Sequence, residues 1–419
     1  MSSPDATRPG PGTVNAATID GPLAWRRLGI SVLASTVGGV AMWSGVLVLP
    51  DVQAEFGAAR GGASLPYAAT MLSIGLGGVF MGRLADRFGV AIPVAIGAVA
   101  LGVGYGLAAL SPSLWVFVLL QGALIGFLGG SATFGPLVAD VSHWFRQRRG
   151  IAVAICASGN YIAGTIWPPI IRYVIDVAGW RVAYAAIGAV CLVAMLPLAY
   201  LLRHPAPREQ APAPGAEHGP ASTAISPNRL QAILVVAGVT CCLAMAMPQV
   251  HLVAYCGDLG YGTARGAEML SLMLAAGVLS RFASGWICDR IGGVRTLLLG
   301  STLQAATLAL YIPFDGLASL YVVSFLFGLS QGGIVPSYAI IVREYLPARE
   351  AGTRVGLVLM ATIVGMAVGA WLSGLIFDLT GSYSAAFFNG LAWNLVNVAI
   401  ALWLLRARSV RQAAGAPGR

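Results

Sequence analysis

The sequence is 419 residues long, 57% hydrophobic and 10% charged, with a formal net charge of +9. A soluble globular chain carries about a quarter charged residues. A mean hydropathy of +0.79 therefore makes lipid the main solvent, which excludes a soluble enzyme, a nucleic-acid binder and a disordered scaffold.

All 25 basic residues are Arg, so no membrane-embedded Lys enters any mechanism. In a membrane protein a pI near 9.5 reports Arg-rich cytoplasmic loops. Residues 1–23 are Pro/Gly/Ala/Thr-rich and are expected to be a disordered cytoplasmic N-terminus; they lack the pattern of a signal peptide. A span needs about 20 mostly apolar residues. Twelve such runs follow, at about 24–49, 62–82, 91–110, 114–141, 150–173, 182–202, 229–256, 266–288, 295–313, 317–342, 353–377 and 384–405. No ten-residue alternation of a barrel is present, so the spans are helices, the only other structure that satisfies its backbone in lipid. The expected fold is an all-α integral membrane protein of 12 transmembrane helices in two six-helix bundles.

With the N-terminus placed in the cytoplasm, 20 of the 25 Arg fall in inside segments. That bias sets both termini in the cytoplasm. Arg60, Arg172, Arg181 and Arg265 fall outside, and Arg281 alone lies within a span. Residues 203–228, rich in Pro, Ala and polar groups, read as a flexible linker between the bundles at 24–202 and 229–405. Residues 406–419 read as a cytoplasmic tail. The six Cys lie in or beside apolar runs without metal-ligand spacing and read as small core residues. No metal or cofactor site is expected.

A short motif occurs twice. Gly82, Asp86, Arg87 and Gly89 follow the second span, and Gly285, Asp289, Arg290 and Gly292 follow the eighth, 203 residues later. The last Gly permits a tight turn, the first lets helices approach, and the Asp–Arg pair can latch helix ends in one state and release them in another. A static loop anchor is the plainer alternative for one copy; two equivalent copies favour the latch.

The twelve spans, the central linker and the doubled G-x-x-x-D-R-x-G motif resemble the major facilitator superfamily over residues ~24–405. The resemblance implies two bundles that rock around a midplane site. Trp144-Phe145-Arg146-Gln147-Arg148-Arg149-Gly150-Ile151-Ala152 is similar to the entry to span five in monocarboxylate transporters and oxalate–formate antiporters, which also carry an Arg in span eight, here Arg281. The sequence departs from that pattern. Gly277 stands where animal monocarboxylate transporters pair the Arg with an Asp, Trp43 aligns with their span-one Lys, and span eleven has only Arg354 at its edge, where oxalate antiporters carry a second basic residue.

Arg281 lies eight residues from Asp289, about 12 Å of helix, well inside the hydrocarbon. Burying an Arg there costs about 2.5–3.5 kcal/mol, so it is expected to face a cavity and meet an anion. The first-half counterpart is Gly78, so the latch itself does not need the Arg. One deep guanidinium fits one carboxylate. The alternative is a structural pair with a protein carboxylate or with helix-end carbonyls. Asn160, Tyr161, Tyr338, Trp43 and Phe134 are candidate pocket residues, with Gln249 and Gln331 as further guesses, each of which could equally serve helix packing. His251, the one His within a span, and Asp140 are proton-coupling candidates; the alternative for His251 is a structural bond to the backbone of a neighbouring helix. The expected function is secondary transport of a small organic monoanion, most simply a monocarboxylate with a symported proton, by a monomer in lipid of the cytoplasmic (inner) membrane. The alternatives are a proton-antiport exporter of a drug or metabolite and an anion exchanger. No nucleophile–base pair points to an enzyme.

Overall fold

The computed structural model describes residues 19–204, 226–346 and 350–414. Most of the expected N-terminal segment and of the linker, and the end of the tail, lie outside the described residues. Among the described residues the chain is helical throughout, without strands.

The first half holds α1 Pro22–Leu47, α2 Arg60–Phe88, α3 Ala91–Ala109, α4 Leu114–Trp144, α5 Gly150–Ala178 and α6 Trp180–Leu201. The second holds α7 Pro227–Asp258, α8 Thr263–Ile291, α9 Gly293–Leu310, α10 Leu317–Tyr345, α11 Gly352–Thr380 and α12 Tyr383–Ala414. A short helix, Leu49–Phe56, follows α1. Eleven of these helices are long and apolar enough to cross a membrane. The exception is α9, whose Thr296, Ser301, Gln304 and Thr307 are buried polar residues. Its polar face is met by α12: Asn394 Nδ2 donates to Ser301 O at 2.9 Å and Asn397 Nδ2 to Ser301 Oγ at 2.8 Å. A hydrogen-bonded polar face can stay out of water without the full desolvation cost, so α9 sits among helices despite its composition.

The elements begin and end where local chemistry dictates. Pro22 and Pro227 start α1 and α7, where no backbone N–H is needed. Ser113 caps α4 by accepting the Val116 N–H. In α4 the glycine-rich stretch loosens into a π-helical segment, Gln121–Gly129, and a 3-10 turn, Gly130–Thr133. There the backbone of α4 comes against α2, and a Cβ at Gly126 would meet Ser73 Cβ at 2.9 Å.

The helices run alternately up and down. One end of the molecule gathers the starts of α1, α7 and α11 and the ends of α4 and α6: Arg27 on α1 donates to Leu202 O, and Gln231 on α7 to Arg354 O. We call it the linker end. The opposite, far end gathers Arg60, Asp258, Asp378 and Tyr383. The first half is held by a T-shaped cluster of Phe117, Trp180, Tyr184 and Tyr105, in which the Tyr105 hydroxyl donates to Ser44 Oγ at 2.8 Å. The second half stacks Tyr311 on Phe387 with ring centroids 4.9 Å apart.

Candidate functional site

The halves meet along two seams, α2 with α11 and α5 with α8. Small residues make each seam tight. On the first, a Cβ at Gly61 would lie 3.1 Å from Asp378 Oδ2, and one at Gly75 would lie 2.7 Å from Met360 Sδ. On the second, Gly164 faces Leu274 and Trp43, and Gly277 faces Tyr161 so closely that any Cβ would overlap the ring. Ser271 donates to the Thr165 carbonyl across the same seam.

The α2–α11 seam is closed at the far end. Arg60 binds Asp258 of α7 through two hydrogen bonds of 3.1 and 2.9 Å and Tyr383 Oη at 2.8 Å. Its guanidinium lies 4.9 Å from the Phe377 ring centroid. Asp378 accepts the backbone N–H groups of Arg60 and Gly61, both at 2.7 Å. Toward the linker end the seams part. Beyond Gly75 on α2 and Arg281 on α8, added Cβ atoms at Gly78, Gly82 and Gly285 meet nothing within 4 Å. The interface is therefore sealed at one end and open at the other.

Arg281 sits where the α5–α8 seam opens. Its Nη1 donates to Ala157 O at 2.9 Å, and its guanidinium carbon is 4.3 Å from the Tyr161 ring centroid. Its Nε is buried without a partner, and no carboxylate pairs with it among the described residues. Among the described residues the guanidinium thus keeps a positive charge with no carboxylate partner and an Nε–H with no acceptor. The repeat shows that the Arg is the asymmetric element: 203 residues after Ala157 stands Met360, which closes the opposite seam on Gly75, but Gly78 in the place of Arg281 carries nothing.

Gly277 explains one departure from the monocarboxylate-transporter pattern. One turn before Arg281, it leaves room for the Tyr161 ring, so an aromatic face lies where a carboxylate would pair with the Arg. Asn160, next along α5, points the other way: its Nδ2 donates to Met42 Sδ at 3.4 Å, and its carbonyl accepts the Trp43 indole N–H at 3.2 Å. Trp43 is 3% exposed and packs into Gly164. Tyr161 and Arg281 are therefore brought together, with Trp43 and Asn160 on the α1 side of the same helix.

The remaining candidates are elsewhere. Tyr338 is 0% exposed and inside the second half, its hydroxyl donating to Ala237 O at 3.0 Å and Asn397 Oδ1 at 2.9 Å. Phe134 is exposed at the break in α4. Gln249 Nε2 donates to Gln331 Oε1 between α7 and α10, leaving Gln331 Nε2 unpartnered. Asp140 is locked to Arg27 in a two-pronged pair of 2.6 and 2.9 Å. His251 contacts Ala370 O through Nε2 at 2.8 Å, has an unpartnered Nδ1, and lies 5.8 Å from the Tyr383 ring, under the far-end closure.

The doubled motif lies at the linker end. Gly89 and Gly292 have φ of +83° and +82°, a backbone region that favours Gly, so the turn reading of the last Gly matches the geometry. Asp86, Arg87, Asp289 and Arg290 are exposed, and no helix lies against Gly82 or Gly285 in this conformation. The sequence reading did not single out Arg60, Asp258 and Asp378 as a group. Charged residues at span ends are ordinary membrane anchors, so the only available signal was that three of them share one face of the membrane.

A family model described as Major Facilitator Superfamily matches residues 31–318 and 266–419. The chain is similar to Monocarboxylate transporter 13 of Bos taurus, 30% identical over 308 residues, covering 73% of this chain and 71% of that protein. It is also similar to the uncharacterized MFS-type transporter YcxA of Bacillus subtilis (strain 168), 28% identical over 346 residues, covering 80% of this chain and 84% of that one. Among solved structures it shares its fold with a bacterial homolog to the human lysosomal transporter Spinster. The TM-score is 0.65 at 13% identity, over 93% of this chain and 96% of that chain.

Proposed function

The chain belongs to the major facilitator superfamily of membrane transporters, and on that premise we propose that it moves a small organic monoanion, a monocarboxylate, by alternating access with a symported proton. The observation that carries this reading is Arg281: a guanidinium deep in a span, with no carboxylate partner and an unmet Nε–H among the described residues, and an aromatic face beside it. Such a group offers a planar fork to one carboxylate, and Tyr161 offers an apolar wall to the rest of a small acid. The relatives named as monocarboxylate transporters support the same substrate class.

In this reading the linker end faces the cytoplasm, in keeping with the Arg bias, and residues 203–228 join the halves flexibly. The protein acts as a monomer in the cytoplasmic membrane. The Arg281–Ala157 hydrogen bond crosses between the halves, so an anion that takes up the guanidinium competes with a seam contact. That gives the substrate a differential interaction with the two states, which a ligand needs to shift their balance. His251 is the proposed proton-linked group: it lies beneath the far-end closure with a free ring nitrogen. Asp86 and Asp289, exposed here, would form their latch in the opposite conformation, when the linker ends close.

The test is Arg281→Gln in proteoliposomes with a panel of labelled acids. A charge-assisted hydrogen bond contributes about 1.5–3 kcal/mol, so affinity should fall roughly 10- to 100-fold, while the purified variant melts as the wild type does. Arg281→Lys should restore it only in part, because a point charge lacks the fork. A folded Gln variant with unchanged anion affinity would remove Arg281 from the site.

A further inference from the structure

Away from the seams, the linker end of the first half holds a pocket lined by apolar and basic side chains. It is a cavity of about 230 Å³ between the start of α1 and the ends of α4 and α6. Its polar lining includes Arg26, Arg203 and His204. Arg26 and Arg203 are exposed, and among the described residues neither has an acidic partner. The Arg203 guanidinium lies 4.0 Å from the Tyr200 ring centroid, which sets it over the pocket wall. Leu23, Ile30 and Leu201 supply the apolar lining.

The interior is built from Arg27 and Trp144. Arg27 is 5% exposed and fully engaged: it binds both oxygens of Asp140 and the Leu202 carbonyl, and lies 4.6 Å from the Trp144 ring centroid. The Asp140 charge is thereby cancelled locally. Asp20, whose amide donates to the Trp144 carbonyl, spends its carboxylate on the backbone N–H groups of Arg146 and Gln147. Among the described residues Arg26 and Arg203 therefore remain without a compensating carboxylate. Trp144 is 1% exposed, and its indole N–H is buried with no partner among the described residues. A buried, unpaired donor is costly and marks a place for an acceptor.

Among the described residues the pocket thus combines cations without a carboxylate partner, a buried N–H without an acceptor, and an apolar wall. It also opens beside exposed apolar side chains, Leu23 at 44%, Leu201 at 52% and, further along α1, Leu33 at 56%. A free phosphate would use only the polar part. We propose that this is a headgroup site for an anionic phospholipid: the phosphate meets Arg26, Arg203 and the Trp144 N–H, and an acyl chain runs along Leu23, Ile30 and Leu201. Basic pockets between helix ends are suited to such headgroups. The site is independent of Arg281 and of the transported substrate.

The test uses the purified full-length protein in phosphatidylcholine nanodiscs with and without phosphatidylglycerol, with lipid retention read by native mass spectrometry after detergent extraction. Wild type should retain phosphatidylglycerol and melt higher in its presence. Arg26→Gln with Arg203→Gln should weaken retention roughly 30-fold, from about fivefold per basic residue near an anionic lipid surface. Trp144→Phe keeps an aromatic ring but removes the N–H, and should weaken it further with Arg27 still buried. Retention equal in wild type and the double Gln variant would overturn the proposal. So would a melting shift reproduced by soluble glycerol phosphate in neutral nanodiscs, which would assign the pocket to a free phosphate. Should Trp144→Phe fail to fold, the two exposed Gln substitutions alone decide the matter.

Discussion

Asp378, at the end of α11, caps a helix of the other half: its two oxygens accept the N–H groups of Arg60 and Gly61, the first residues of α2, each at 2.7 Å. No side chain of the first half caps α2, since Ala59 is the residue before it. The first two amides of α2 and its partial positive charge therefore meet a carboxylate only while the far end is closed. Opening that end must release them, together with the Arg60–Asp258 pair.

Asp378→Asn should accordingly shift the molecule toward the conformation open at the far end. Loss of charge on the acceptor removes about 1.5–3 kcal/mol, a change of roughly 10- to 100-fold in the ratio of the two states. A reporter Cys at Ser64, which is 0% exposed behind the closure, should react faster with a membrane-impermeant maleimide in the Asn background. Equal labelling rates would show that the cap does not hold the gate.

Gly277→Ala should disturb the site more than the fold. The added methyl overlaps the Tyr161 ring, which is held 4.3 Å from the Arg281 guanidinium. Overpacking of this kind costs about 1–3 kcal/mol. The Ala variant should melt lower and bind the anion weakly. Adding Tyr161→Ala should recover melting temperature without recovering binding. A Gly277→Ala variant indistinguishable from wild type would contradict the packing described here.

Asp140→Asn should be a stability defect. It leaves Arg27, 5% exposed, without its two-pronged partner. Breaking a buried pair from one side costs about 3–5 kcal/mol, whereas replacing both partners by apolar residues is far milder. Arg27→Met with Asp140→Leu should therefore fold better than Asp140→Asn alone. If Asp140→Asn folds normally and instead alters the pH dependence of transport, Asp140 belongs to proton coupling and not to this clamp.

Acid should loosen the linker end through Asp20. The Gln147 amide, with those of Arg146 and Arg148, holds its pKa below the ordinary 3.8. A carboxylate depressed in the folded state contributes stability above its unfolded pKa and loses it as pH falls through the folded value. The melting temperature of wild type should exceed that of Asp20→Asn near neutrality, and the gap should close as pH falls below 3.8. A gap independent of pH would exclude the ionised form as the source.

The sequence by itself determined the solvent, the number of spans and their pairing into two related halves, because hydropathy and the 203-residue repeat are properties that each segment carries alone. It also determined that Arg281 lies deep in a helix, since depth follows from counting residues along a span. Only the tertiary structure decided what that residue meets. Ala157 is 124 residues away from it, and Tyr161 reaches it only because Gly277 leaves the space. The same holds for Asp378 and Arg60, 318 residues apart, and for Tyr338, whose hydroxyl turns into its own half to bind Asn397. Which face a helix turns to its neighbour depends on rotation and close packing of small residues, and which end is shut depends on the conformation adopted. Neither quantity is local, so no pattern along a single span encodes it.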